Sequence, residues 1–410
     1  MDAIIERCCG LDVHKKTIVA CLLIGQGHQR PKKEIRTFQT VTKELAAMKD
    51  WLLSQGCTHV GMESTGVYWK PVFNILEGFF EIIVGNARHI KNVPGRKTDV
   101  KDSEWIAQLI RHGLIAKSFV PPKPIRELRD LCRYRRKLIE SRTSERNRLL
   151  KLLETANIKI ASVATDVFGA SGTNMIKAII EGSSNPQEMA ELAKGRLRSK
   201  LEHLELALEG TVEQHHRSLL KLQMNRLRHI EKDIQNLERT LTERLSPYQR
   251  QIQLLDEIPG VDTLTASAII AEIGTDMTVF KTPHHLAAWA GVCPGNNESA
   301  GKRSSGRSRK GNIHLQIVLV EAATSAAKKK GTYLKDKFFR LKARRGYKRA
   351  AMAIAHKILV SAYHILADDC SYRELGEAYL DQQDKTRVTN NLVRRLERLG
   401  YAVSIEQKVA

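Results

Sequence analysis

The sequence predicts an α/β unit followed by a mainly helical one, and three observations carry the prediction. Strand-like and helix-like patterns alternate through the first part of the chain, prolines crowd at Pro121, Pro122 and Pro124, and long helical periodicities follow. At 410 residues the chain exceeds what one hydrophobic core usually serves.

Ile4 to Val13 and Thr17 to Ile24 read as strands joined by the polar turn His14, Lys15, Lys16, which suggests a hairpin. Lys33 to Thr40 alternates like a third, half-exposed strand, and Thr42 to Ser54 reads as an amphipathic helix with Leu45, Met48, Trp51 and Leu52 inward. Thr58 to Met62 is a short buried strand ending at Glu63. The turn Ser64, Thr65, Gly66, a helix from about Val67 and a strand over Phe79 to Val84 come next. Beyond Pro94 and Gly95 a helix opens with Asp99 and Asp102, whose spacing puts both on one face, while Trp105, Ile106, Leu109 and Ile110 give its buried side.

Three strands, helix, strand, helix, strand, helix is a ribonuclease H-like layout. In it Asp12 and Glu63 at strand ends can meet Asp99 and Asp102 on a helix laid across the same sheet edge. Four converging carboxylates repel unless cations neutralise them. Oxygen-only ligands favour Mg²⁺ or Mn²⁺, and two ions about 3.5–4 Å apart hold a phosphodiester for attack. The competing reading makes each acid a turn residue or a helix cap.

Lys plus Arg number 67 against 45 Asp plus Glu, a net charge of +22, so the expected partner is a polyanion, nucleic acid above all. Seven cysteines without a CxxC pair indicate neither a disulfide framework nor a zinc ribbon, which fits a reducing cytoplasm. The apolar run Ile18 to Ile24 is too short to span a membrane and no targeting signal is evident, so no membrane partner is expected.

Ile125 to Glu154 is a long helical pattern with ten basic and five acidic residues, and Arg133, Arg136, Arg142 and Arg146 are its candidates for contact with phosphate. Leu220, Leu227, Ile230, Ile234, Leu237, Leu241 and Leu245 make a heptad seam ending at Pro247, a coiled-coil pattern that pairs helices within or between chains. His215 and His216 before it read as structural, since neighbours on a helix face different directions. The Pro259-Gly260-Val261 turn resembles a helix-hairpin-helix device for gripping phosphate. A loop then gathers Lys302, Arg303, Arg307, Arg309 and Lys310 among small residues. It is not a nucleotide-binding P-loop, because five residues separate Gly295 from Gly301 and Arg303 stands where Ser or Thr belongs. Within it Ser299 would suit a nucleophile attacking a phosphodiester, although the residues alone favour a hydrogen-bonding loop serine.

The words Gly10-Leu11-Asp12-Val13-His14-Lys15, Met62-Glu63-Ser64-Thr65-Gly66-Val67-Tyr68-Trp69 and Lys97-Thr98-Asp99 through Asp102 occur in one order, followed by Ile258-Pro259-Gly260-Val261 and the Ala290 to Asn312 loop. Together they resemble the DEDD transposases of the bridge-RNA-guided insertion sequences, from about residue 5 to about residue 330. The resemblance implies that Asp12, Glu63, Asp99 and Asp102 are the metal-binding tetrad of a resolvase-like domain and Ser299 the nucleophile of a transposase domain. It also implies a guide (bridge) RNA pairing with donor and target DNA, and a homo-oligomer, a tetramer, in which the tetrad of one subunit can meet the serine of another. Ala300 stands where many relatives have Gly, and Ser103 where Ala is frequent; neither replaces a functional group.

The expected parts are a ribonuclease H-like catalytic domain at 1–122, a basic helical and coiled-coil domain at 123–254, a serine-bearing transposase domain at 255–345 and a helical extension at 346–410. Two other functions fit part of this pattern. A metal-dependent nuclease or Holliday-junction resolvase would use the tetrad with water, and a non-catalytic RNA-binding scaffold would need the basic surface alone.

Overall fold

In a computed structural model the described residues are 3–27, 29–93, 102–183, 185–295, 297–299, 302–305, 308 and 310–406, with backbone alone at 297–299 and 302–305. They form two compact units that meet in sequence at Val120 and Pro121.

The first unit runs β1 (Arg7–Val13), β2 (Thr17–Ile24), β3 (Lys32–Gln39), α1 (Thr42–Ser54), β4 (His59–Glu63), α2 (Trp69–Leu76), β5 (Glu81–Gly85), α3 (Ala87–Lys91) and α4 (Asp102–Arg111). Its sheet has the order β3-β2-β1-β4-β5. The hairpin pairs β1–β2 and β2–β3 are antiparallel, and the pairs β1–β4 and β4–β5, made through helices, are parallel. The first strand begins at Arg7 and not at Ile4, because the Ile4 and Ile5 amides both donate to the Arg111 carbonyl at the end of α4, at 2.9 and 3.1 Å.

Alternation decides the two faces. Cys9, Leu11, Val60 and Met62 point into one core with Met48 and Leu52 of α1 and Val72 and Leu76 of α2. Cys8, Cys21 and Leu23 point the other way, to Trp105, Ile106, Leu109 and Ile110 of α4. Gly10 and Gly61 lie on that second face and let α4 approach closely. A Cβ at Gly10 would stand 2.1 Å from the Ser103 carbonyl oxygen, and one at Gly61 2.1 Å from the Ile110 side chain. Since Ser103 lies over Gly10 and Arg111 over Ile4, α4 runs antiparallel to β1 and its first residue points toward the carboxyl end of that strand.

The second unit opens with α5 (Lys123–Thr155) and continues as α6 (Ile160–Val163), α7 (Ala170–Glu181), α8 (Pro186–Ala190), α9 (Leu201–Leu208) and α10 (Gln214–Leu245). Proline near the start of α5 fits there, where its missing amide costs no hydrogen bond. Leu149 and Leu153 of α5, Met175 of α7, Leu204 of α9 and Leu220 and Leu227 of α10 share one core, and Leu138 meets Ile230 and Ile234 in a smaller one. The chain then runs α11 (Gln249–Asp256), α12 (Thr263–Ile273), α13 (Pro283–Ala290), β6 (Asn297–Ser299), β7 (Lys302–Ser305), α14 (Ile313–Ala326), α15 (Tyr333–Arg345), α16 (Tyr347–Asp368), α17 (Tyr379–Gln383) and α18 (Lys385–Arg398). By length and composition α16 is apolar enough to cross a membrane, and it buries Ile354, Ile358, Leu359 and Ile365 within the unit.

α11 and α12 form the expected helical hairpin, but its turn serves packing. Gly260, at φ +88°, lies where a Cβ would meet the Ala322 carbonyl oxygen of α14 at 2.4 Å. The Val261 amide donates to Ile258, and the Asp262 carboxylate closes the start of α12 by accepting from Thr265. A phosphate brought there would face a carboxylate and a turn packed on another helix, which corrects the gripping role read from the sequence.

Candidate functional site

The parallel register of β1 and β4 pairs Leu11 with Met62, so Asp12 and Glu63 are the next residues on neighbouring strands. Both fall on the face that Gly10 and Gly61 open to α4, and Asp102 is the first residue of that helix. The positive end of the helix dipole therefore points to the sheet edge where the two strand carboxylates stand. His14 Nε2 lies 3.1 Å from Asp12 Oδ2, and the Thr65 hydroxyl donates to the Glu63 carboxylate. Asp99, the fourth predicted acid, lies outside the described residues. Two glycines that the sequence reading passed over make this approach possible; glycine at the second position before a strand-end acid was the available signal.

In the second unit β6 and β7 turn the expected loop into a hairpin, with Ser299 paired to Lys302 and Glu298 to Arg303. Lys310 is exposed, while Arg307 and Arg309 lie outside the described residues. The neck of the hairpin is tightly held. A Cβ at Gly311 would be 2.3 Å from the Gly291 nitrogen, the Asn312 amide donates to the Trp289 carbonyl at 3.2 Å, and Gln316 Nε2 donates to the Gly291 carbonyl at 3.0 Å. Asn312 also caps α14 through its side-chain oxygen and donates from Nδ2 to Glu272 Oε2 at 2.6 Å.

Glu272, only 3 % exposed, gathers these ties. Arg133 donates to both of its carboxylate oxygens at 2.7 and 2.8 Å, and Arg129 Nε lies 3.3 Å from Oε2. Burial pushes the Glu272 carboxyl up, but hydrogen bonds from Arg133 and Asn312 and the charges of Arg129 and Arg133 outweigh it and hold the group below its ordinary value. The network joins the base of the serine hairpin to α5 and α12.

The other predicted phosphate contacts on α5 are also engaged internally. Arg136 is bonded to Glu321 at 2.6 Å, and Arg146 to Glu231 at 2.9 Å with its guanidinium 5.2 Å from the Phe168 ring. Arg142 is half-buried, and no carboxylate partner is found for it among the described residues. The surplus of cations along α5 is thus answered by acids on α10, α12 and α14 that lie far off in sequence.

His215 and His216 do not point apart as expected: their ring centroids are 3.8 Å from each other. His216 Nδ1 accepts the Glu213 amide in a capping box, and His215 Nδ1 lies 3.2 Å from the Glu213 carboxylate. The ligand atoms of Glu213, His215 and His216 all lie within 4.8 Å of one another, close enough to hold a metal ion, although their arrangement is already that of a helix start.

An α/β sheet with acids at neighbouring strand ends, followed by a mostly helical unit, is the architecture these residues define. A family profile described as a DEDD transposase of the IS110 group matches residues 9–158, and one described as a transposase of the IS116/IS110/IS902 family matches residues 252–338. The chain belongs to the IS110 family of transposases. It is similar to the transposase for insertion sequence element IS1111A of Coxiella burnetii, 32% identical over 125 residues, which are 30% of this chain and 34% of that one. It is also similar to the putative transposase y4pF/y4sB of Sinorhizobium fredii, 31% identical over 144 residues, 33% of this chain and 37% of the relative. The chain thus spans about a third of the length of the curated relatives it matches.

Proposed function

We propose that this chain is a DNA recombinase of an insertion sequence, guided by a non-coding bridge RNA, that cuts and rejoins donor and target DNA with a divalent metal and a serine nucleophile. The observation that carries the reading is the placement of Asp12 and Glu63 side by side, on the face toward which α4 brings Asp102. In this reading the first unit is ribonuclease H-like.

Asp12, Glu63 and Asp102, with Asp99, are the residues that would hold Mg²⁺ or Mn²⁺, and their all-oxygen donor set fits these hard cations. When bound, the metal lowers the cost of charge on the attacking and leaving oxygens. Ser299 Oγ attacks the phosphorus, a phosphoserine bond forms, and the P–O bond to the leaving strand breaks, its oxygen taking a proton. Rejoining reverses the exchange: a strand-end hydroxyl attacks the phosphoserine and Ser299 regains its proton. Lys302 and Arg303 lie close to Ser299 in sequence and neutralise the phosphate. Contact with nucleic acid falls to these two, to Arg307, Arg309, Lys310 and Arg142, while Arg133, Arg136 and Arg146 act through the ties described above. The protein works as a homo-tetramer, so that the tetrad and the serine can come from different subunits.

The test uses the full chain with its copurified RNA and labelled donor and target DNA. Cleavage should need Mg²⁺ or Mn²⁺ and leave a protein–DNA adduct on a denaturing gel that Ser299→Ala abolishes. Mixing Ser299→Ala with Asp12→Ala protein should restore some cleavage if subunits share sites. Metal-dependent cleavage that persists in Ser299→Ala without an adduct would instead identify the water-using nuclease.

A further inference from the structure

The C-terminal stretch builds a cleft of its own. After α16 the chain folds back across α15 and is pinned repeatedly. Glu257 accepts from the Tyr372 amide at 2.9 Å, and Glu374 accepts from the Tyr333 amide at 2.8 Å. Arg340 bridges Asp336 of α15 and Asp381 of α17, at 2.8 Å each. Between these pins lie two adjoining cavities of about 450 and 470 Å³ that share Lys337, Leu380 and Gln383.

The two compartments differ in chemistry. The first is lined by Tyr333, Tyr372 and Tyr379 over Leu334, with Lys357 and Arg373 at its sides, and the Tyr333 and Tyr379 rings meet edge to face at 5.7 Å. The second is lined by Lys337, Arg340, Arg344 and Arg387, with Asp384 as its one carboxylate among the described residues. Arg340 and Arg387 answer aspartates, whereas Lys337, Arg344, Lys357 and Arg373 have no carboxylate partner among the described residues. Lys337 lies 5.9 Å from the centre of the Tyr333 ring, and burial together with Lys357, Arg344 and Arg340 pulls its ammonium below the ordinary value. Six cations line the two compartments against Asp336, Asp381 and Asp384, and this excess of positive charge is held together at a cost that a bound polyanion would relieve.

We propose that this bipartite cleft binds a single-stranded nucleic-acid segment, with phosphates against Lys337, Arg344 and Lys357 and an unstacked base against Tyr333 and Tyr379. Each compartment has the size of a small-ligand pocket. Aromatic faces beside a positively charged track are what single strands use, because every base has a stacking face and every linkage a charge. Duplex, whose bases are already stacked, gains only the charge. The inference rests on the nucleic-acid reading above and adds a site to it.

The experiment measures anisotropy of labelled 20-nucleotide oligouridine, oligothymidine and a duplex on the full chain across a salt series, for wild type and for the combined variant Lys337→Gln, Arg344→Gln, Lys357→Gln. The variant should lose at least about tenfold affinity for single strands, and the slope of log K on log salt should shrink by about 2, three phosphate contacts at roughly 0.7 each. Photocrosslinking of 4-thiouridine-labelled RNA to wild type should mark the peptides bearing Tyr333 or Tyr379, a readout independent of how the variant folds. Tighter binding of one single strand names RNA or DNA as the occupant, and equal binding means that phosphate and base suffice. An unchanged slope with crosslinks elsewhere, or stronger loss on duplex than on single strands, overturns the cleft while leaving the transposase reading standing. A wild-type protein that binds no nucleic acid at all overturns both.

Discussion

The carboxylate edge of the first unit and the basic helix α5 of the second are both conspicuous in the sequence, yet folding treats them in opposite ways. At the edge, local pattern and tertiary outcome agree, because a period of two and a parallel register leave Asp12 and Glu63 no other face. Along α5, local pattern and outcome diverge: a surplus of arginine that reads as a surface for phosphate is largely consumed by Glu231, Glu272 and Glu321 from other helices. Residue type predicts chemistry well where geometry is set by neighbours in sequence. It predicts poorly where a long side chain can find a partner from anywhere in the fold.

The largest effect should come from breaking the edge. Asp12→Ala or Glu63→Ala should cut strand cleavage at least about a thousandfold, equivalent to about 4 kcal/mol in the barrier, in a gel assay with Mg²⁺. The melting temperature should hardly move, and normal cleavage by either variant would end the comparison. Next, Glu272→Ala leaves the partly buried Arg129 and Arg133 without their carboxylate and should destabilise the second unit by about 2–4 kcal/mol in denaturant unfolding.

The same group gives a pH prediction with a definite sign. Because its folded pKa lies below the ordinary 4.5, the stabilisation by Glu272 is present above that value and is lost as pH falls through the folded pKa. The melting-temperature advantage of wild type over Glu272→Gln should therefore be full at pH 7 and shrink below pH 4.5. A constant difference down to strongly acidic pH would show that the carboxyl is not ionised in the fold.

Gly10→Ala sharpens the first half of the comparison. Its methyl would collide with the Ser103 carbonyl 2.1 Å away, so α4 must shift, at a cost of about 1–3 kcal/mol and with loss of cleavage greater than the stability change explains. The smallest effect separates the two kinds of cation. Arg136→Ala removes a partly exposed ion pair worth about 0–1 kcal/mol and should leave the salt dependence of DNA binding as it was. Lys310→Ala should reduce that slope by about 0.9 for duplex. A slope that falls by as much in Arg136→Ala would mean that α5 touches phosphate after all.

Much of the first unit was legible because its signals are local. Alternation gave the strands, and Leu45, Met48, Trp51 and Leu52 at helical spacing marked α1, all of them buried as expected. Most of the missed features needed a partner distant in sequence. Ile4 and Ile5 leave the first strand because their amides find Arg111, and Gly260 serves α14 instead of a phosphate. His216 turns back to cap its own helix, a choice that depends on where that helix starts.

By itself, the sequence determined the alternation that places Asp12 and Glu63 on one face, the helical periods, and the excess of positive charge that calls for a polyanion. Tertiary structure alone decided which cations remain available. A guanidinium on a long, flexible stem is claimed by whichever carboxylate the packing brings near it, so Arg133 is held by Glu272, 139 residues away, while Lys337, Arg344 and Lys357 are left facing a cleft.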